Sequence, residues 1–230
     1  MSDPQPGSLE YWARERPDAP AVIEGDRILT WRDWNDEADR MAHGLARLGL
    51  KAGDILVTRM QIRAEWPIVG AAAGKLGCRV LGLNWRLTPA ETQFVLANSG
   101  AHAIVCDDPD PAALLPAFEG LDLKFAVSID AEARGFSPYA ALIAEPAPAA
   151  LFAEGNPPLI LYTSGTTGLP KGVVMGRPDV TDHKARQDGA QGACQRQPED
   201  VLPVRAQRQA QSDFRRALRH RIRNHPVHAD

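Results

Sequence analysis

A chain of 230 residues with 44% apolar and 24% charged residues has the make-up of one globular domain with at most a small appendage. Its net charge of −3 excludes the global basic character of a nucleic-acid binder and gives no reason to expect an anionic membrane as partner. Cys78, Cys106 and Cys194 lie far apart, without C-x-x-C spacing and in odd number, which excludes a disulfide framework and fits a reducing cytoplasm.

The start, Met1 to Pro6, has neither a basic nor an apolar region of a signal peptide, and apolar runs such as Ile68 to Ala73 are too short to cross a bilayer. Ala21-Val22-Ile23 and Arg27-Ile28-Leu29 flank Glu24-Gly25-Asp26, which predicts two short strands around a tight turn. Thr30-Trp31-Arg32-Asp33 reads as a capping box. After it, Trp34, Ala38, Met41, Leu45 and Leu48 form one apolar helical stripe, with Gly49 as the stop.

Ile55-Leu56-Val57 predicts a strand, and a helix is expected from about Glu65 to Leu76, ended by Gly77. The small face of that helix, Gly70 to Gly74, predicts a close approach to a sheet. Val80 to Leu83 is the next strand. A second capping box, Thr88-Pro89-Ala90-Glu91, opens a helix that runs to Asn98-Ser99-Gly100. Ala103 to Cys106 and Phe125 to Ile129 are further strands. Strands this short and this uniformly apolar are buried on both faces of a largely parallel sheet, so the class is α/β with flanking helices. Residues 138–158 read as an Ala- and Pro-rich connector with one helical turn, and Leu159 to Tyr162 as the last clear strand.

Beyond Val174 the pattern breaks. Residues 176–230 hold 10 Arg and 1 Lys against 7 Asp and Glu, a net of +4, whereas residues 1–175 carry −7. Phe214, Leu218 and Ile222 are the only large apolar residues of the one helical-looking stretch there, too few to hold a fold. The expected division is therefore a domain over 8–175 and a basic, disordered tail over 176–230. Phosphate binding by that tail is disfavoured because its only aromatic is Phe214, and its four histidines and Cys194 lack zinc-ligand spacing. In the body, His43 and His102 read as surface residues, and Cys78 and Cys106 as buried small hydrophobes. Trp31, Trp34, Trp66 and Trp85 read as packing residues.

One segment carries chemistry. Tyr162-Thr163-Ser164-Gly165-Thr166-Thr167-Gly168-Leu169-Pro170-Lys171-Gly172 sets three glycines among hydroxyl groups and one lysine, directly after an apolar strand. Glycine lets backbone N–H groups turn inward, the hydroxyls add donors, and Lys171 adds a positive charge, which together suit a polyphosphate. It is not a Walker A loop, since Lys171 is followed by Gly172 and not by Ser or Thr.

The string resembles the signature loop of the acyl-adenylate-forming superfamily, which includes acyl-CoA synthetases, firefly luciferase and peptide-synthetase adenylation domains. Gly70 to Gly77, Leu81-Gly82-Leu83-Asn84, Thr88-Pro89-Ala90-Glu91, Pro17 to Val22 and Leu29-Thr30-Trp31 resemble the same family, so the likeness covers roughly residues 8–175. It is nearest in kind to bacterial fatty-acyl or aryl-acid:CoA ligases. The resemblance implies an incomplete N-terminal subdomain of the AMP-binding enzyme fold. It implies ATP and Mg²⁺ as cofactors, and a carboxylic acid and CoA as substrates. The phosphate contacts would be Thr163, Ser164, Gly165, Thr166, Thr167, Gly168 and Lys171, with Thr163 also at the metal.

Several family elements are missing from residues 173–230: the adenine-framing Gly-aromatic-Gly-x-Thr-Glu segment, the ribose-binding Thr-Gly-Asp segment, and the hinge and mobile domain with its lysine. The tail reads as out-of-frame translation of a GC-rich gene. The expectation is a truncated, inactive ligase to which no catalytic residue can be assigned. Its uncovered sheet edge would favour aggregation or chaperone contact. The alternative is a non-catalytic nucleotide- or partner-binding protein.

Overall fold

A computed structural model describes residues 3–148, 159–163 and 171–175. The chain opens with α1 (Leu9–Glu15), whose N-cap Ser8 accepts the Tyr11 N–H. Strands β1 (Pro20–Glu24) and β2 (Arg27–Thr30) pair antiparallel with Glu24 opposite Arg27, and Gly25 takes the positive φ (58°) that the turn between them requires.

Thr30 then starts α2 (Trp31–Arg47) through the expected capping box, its hydroxyl accepting the Asp33 N–H while the Asp33 carboxylate accepts the Thr30 N–H. Gly49, at φ 97°, ends α2. The Leu50 N–H reaches the Leu45 carbonyl and the Gly49 N–H reaches Ala46, the paired bonds of a Schellman motif. The same motif closes α3 (Glu65–Lys75), where Cys78 donates to Ala73 and Gly77 to Gly74. Helix α4 (Pro89–Ser99) carries the second capping box and ends on Gly100 in the left-handed region.

Seven strands form the main sheet in the order β7-β6-β5-β3-β4-β8-β9. They are β3 (Ile55–Arg59), β4 (Arg79–Gly82), β5 (Ala103–Cys106), β6 (Phe125–Ser128), β7 (Ser137–Pro138), β8 (Leu159–Thr163) and β9 (Lys171–Met175). All neighbours are parallel except β8 and β9, which form an antiparallel hairpin.

Successive strand residues face opposite sides and feed two cores. Leu56, Val80, Val105 and Val127 pack with Met41, Leu45, Ile68 and Val69 of α2 and α3, and with Leu142 of α5 (Tyr139–Ile143). Val57, Leu81, Ile104, Ala126 and Ile160 pack with Phe94, Val95 and Leu96 of α4. A 3-10 helix over Pro111–Phe118 lies against α4 on that second face.

The structure corrects the sequence reading in one place. Leu159 to Tyr162 is not the last strand: β9 follows it, because Gly172 and Val173 continue an extended apolar run that pairs along the whole of β8. The small face of α3 does pack on the sheet, with Ala72 and Ala73 fully buried in one core with Leu56 and Val80, though Gly70 itself has open space around it. A close approach that the sequence did not mark occurs at Gly44 of α2. There a Cβ would lie 2.7 Å from Leu142 Cβ and 2.8 Å from the Leu142 carbonyl oxygen. Helix α1, the 3-10 helix and β7 had no counterpart in the sequence reading. The basic segment 176–230 lies outside the described residues.

Among the body residues singled out earlier, Cys78 and Cys106 are fully buried. Burial pushes their thiols up to about 11 and about 12 respectively. Trp12, Trp31 and Trp34 form a row with centroid spacings of 5.9 and 5.5 Å. His102 extends the β3–β5 ladder by one step: its Nδ1 accepts the Ile55 N–H (3.1 Å) while its backbone N–H donates to the Ile55 carbonyl (2.9 Å).

Candidate functional site

Parallel strands deliver their C-terminal ends to one edge of the sheet, and in open α/β sheets ligands bind beyond that edge. Arg59, Gly82, Cys106, Ser128 and Thr163 end their strands there, and Lys171 begins β9 at the same edge. Thr163 and Lys171 are register partners in the β8–β9 hairpin, so the backbone sets the two ends of the hydroxyl- and glycine-rich segment side by side. Ser164, Gly165, Thr166, Thr167 and Gly168 lie outside the described residues.

The stem of that segment is well defined. Tyr162 sits opposite Gly172, and its ring lies over the glycine so closely that an added Cβ would be 3.1 Å from the ring. The Tyr162 hydroxyl donates to Asn98 Oδ1 at 2.7 Å near the end of α4. Burial pushes this phenol well above its ordinary range, with a smaller opposing effect from Ser99, so it stays a proton donor. Nothing in the sequence marked Asn98, which reads only as part of a helix stop.

Beside the stem, the segment after β4 is exposed at Asn84, Trp85 and Arg86. The Arg86 guanidinium stands 4.5 Å from the centre of the Trp85 ring, and the Arg86 N–H donates to Asn84 Oδ1 (3.0 Å). Arg59, at the end of the central strand, is buried. It donates to Asp108 Oδ2 and to the Leu87 carbonyl (2.9 Å), tying the segments after β4 and β5 together.

Further along the edge, Arg63 bonds Glu65 (2.6 Å) and Asp130 (3.0 Å), while Arg27 reaches Glu65 from the hairpin (2.6 Å). Burial alone would raise the Glu65 carboxyl, but these two guanidinium groups hold it below the usual range. No cluster of three or more His, Cys, Asp or Glu suited to a metal occurs among the described residues. No helix among them is long and apolar enough to cross a membrane.

The sequence matches the model of a family described as AMP-binding enzyme over residues 9–201. A fatty acid–[acyl-carrier-protein] ligase, ScoC, of Streptomyces coeruleorubidus is 32% identical over 73% of this chain and 32% of its own length. A 2-succinylbenzoate–CoA ligase of Bacillus licheniformis is 32% identical over 74% of this chain and 34% of its own. The chain thus spans about a third of the length of these curated relatives. Among solved structures, the inhibitor-bound N-terminal domain of FACL13 from Mycobacterium tuberculosis aligns with a TM-score of 0.62 at 29% identity, covering 72% of this chain and 42% of that one.

Proposed function

Because the chain belongs to the AMP-binding enzyme family, we propose that it forms the N-terminal part of an ATP-dependent, AMP-forming acid:CoA ligase acting on a fatty or aryl acid. In this reading Thr163, Ser164, Gly165, Thr166, Thr167, Gly168 and Lys171 grip the β- and γ-phosphates of ATP. The observation that carries it is the Thr163–Lys171 strand pair, which brings the ends of a phosphate-type segment together at the carboxyl edge of the sheet.

In the reaction, the oxygen of the acid's carboxylate attacks the α-phosphorus of ATP, the bond to the bridging oxygen breaks, and pyrophosphate leaves. A thiol, that of CoA, then displaces AMP from the acyl-adenylate. Negative charge grows on the departing phosphates, so fixed N–H dipoles and the Lys171 ammonium lower the barrier. Thr163 offers a hydroxyl oxygen of the hard kind that Mg²⁺ accepts, and Mg²⁺ would neutralise phosphate charge there. No residue of this chain is assigned to the acid or to proton transfer. We therefore expect the 230-residue chain alone to bind nucleotide without turning it over. A cytoplasmic setting follows from the substrates.

ATP–pyrophosphate exchange with a panel of fatty and aryl acids, beside calorimetry with MgATP, tests this. Nucleotide binding without exchange is expected. Exchange by the isolated chain overturns the partial-enzyme reading, and absence of MgATP affinity overturns the phosphate-grip reading. One observation favours a second reading, a non-catalytic partner-binding protein. Leu161, Val173 and Met175 leave an exposed apolar strip on one face of the β8–β9 hairpin, suited to a covering protein surface.

A further inference from the structure

Strand β8 is held to the sheet by less than its own length. Only Leu159 and Ile160 have register partners in β4, namely Val80 and Leu81. Tyr162 and Thr163 run past Gly82, the last residue of β4, and their ladder partners among the described residues are Gly172 and Lys171 of β9. The stem from which the phosphate-type segment springs is therefore an overhang, and its position needs a tie to the body of the domain.

Tyr162 makes that tie. Its hydroxyl donates to Asn98 Oδ1 (2.7 Å), and Asn98 is buried near the end of a helix fixed by a capping box at one end and Gly100 at the other. Its ring covers Gly172, the cross-strand partner, so that an added Cβ would lie 3.1 Å from the ring and push it aside. Gly172 is an extended residue of β9, so the demand there is for space and not for a special φ. A cross-strand aromatic seated on glycine also stiffens a strand pair that glycine would otherwise loosen.

We propose that Tyr162, held by Asn98 and seated on Gly172, is a positioning residue that fixes the stem of the phosphate-binding segment against α4. The inference rests on the phosphate-grip reading above and deepens it. Tyr162 does not touch substrate; it sets the register and tilt of Thr163 and Lys171, the two ends of the grip. A binding constellation displaced by about 1 Å loses affinity and rate steeply, so its effect falls on the β- and γ-phosphates and spares a ligand that lacks them.

The test uses the full 230-residue chain with three variants: Tyr162→Phe, which removes only the hydroxyl; Gly172→Ala, which keeps the hydroxyl and displaces the ring; and Asn98→Leu, which removes the acceptor. Calorimetry compares MgATP with AMP, and amide hydrogen exchange is followed in β8 and β9 without nucleotide. Tyr162→Phe and Gly172→Ala are expected to weaken MgATP on the order of tenfold, to leave AMP unchanged, and to speed exchange in both strands. Asn98→Leu combined with Tyr162→Phe should add nothing to Tyr162→Phe alone. MgATP affinity equal to that of the natural chain overturns the proposal, as does equal loss for MgATP and AMP. If the natural chain shows no preference for MgATP over AMP, the phosphate-grip reading falls. The exchange data then decide the clamp separately: unchanged protection of β8 and β9 in Tyr162→Phe overturns it.

Discussion

Replacing Lys75 by methionine should be among the most damaging single changes to this domain. The Lys75 ammonium is almost wholly buried, with 3% of its side chain exposed. It donates to Glu10 Oε1 (2.8 Å) on α1 and to Asn35 Oδ1 (3.0 Å) on α2, and pairs with Asp39 Oδ1 (3.0 Å) on α2, so three helices meet on one charge. Methionine keeps the length and apolar volume of the lysine stem, so the packing loss is small. The cost comes from Asp39 and Glu10, whose side chains are 8% and 20% exposed and would be left with a cation removed. Breaking one partner out of a buried pair costs about 3–5 kcal/mol, a large share of the roughly 5–15 kcal/mol that holds a domain together. Urea unfolding followed by circular dichroism at pH 7 reads this directly. Burial opposes ionisation of Glu10, but the Lys75 hydrogen bond holds its carboxyl below the ordinary value of 4.5. A depressed carboxyl stabilises above its unfolded pKa and loses that contribution as pH falls through the folded one. The gap between variant and natural chain must therefore narrow below pH 4.5. A loss under about 1 kcal/mol at pH 7, or a gap that widens in acid, refutes the reasoning.

Two further changes test the packing of α2. Gly44→Ala gains about 1 kcal/mol of helix propensity. Its new methyl collides with Leu142, including the backbone carbonyl oxygen at 2.8 Å, and overpacking of that kind costs about 1–3 kcal/mol. A lower urea midpoint is expected, and a raised one shows that α5 yields freely. Glu37→Gln acts in the opposite direction: burial raises the Glu37 carboxyl above 4.5 despite Arg27 at 3.7 Å and Arg40 nearby. A carboxyl with a raised folded pKa favours the fold below its unfolded value and loses that contribution as pH rises through the folded value. Glu37→Gln should therefore match the natural chain near pH 4 and exceed it in melting temperature at pH 7; the reverse order counts against burial as the cause.

Local signals were legible where the chemistry is local. Thr30 with Asp33 and Thr88 with Glu91 announce helix starts because both halves of each capping box lie within four residues. Gly49 and Gly77 announce stops for the same reason. The apolar strands disclosed a parallel sheet but not its order, because β5 crosses β3 to pair on the far side from β4 and nothing in either strand's composition encodes a neighbour. The 3-10 helix escaped notice because Pro111 and Pro116 break a helical pattern that tertiary packing restores. Of the candidate site, the motif was visible and its support was not. Asn98 and Tyr162 are 64 positions apart, and their hydrogen bond exists only once α4 has docked.

The architecture also bears on why the ligand-binding role proposed above is given to the β8–β9 hairpin and not to the place a doubly wound sheet would suggest. The chain leaves β3 toward β4 on one side and leaves β5 toward β6 on the other, so the crevice where ligands usually enter lies between β3 and β5. Here that crevice is closed by the protein's own groups. Arg59 is spent on Asp108 and the Leu87 carbonyl, and the Gln61 N–H donates to Asp107 Oδ2 (2.9 Å). Arg63 is turned outward to Glu65 and Asp130. Admitting a phosphate would mean separating a buried Arg–Asp pair at about 3–5 kcal/mol, which a surface phosphate contact cannot offset. The same closure makes Arg59 a brace: through Leu87 it fixes the segment after β4, the strand against which β8 is laid. The β3–β5 crevice and the β8–β9 hairpin thus differ in kind, the first filled by the protein's own charged groups, the second an overhang from which the glycine- and hydroxyl-rich segment springs.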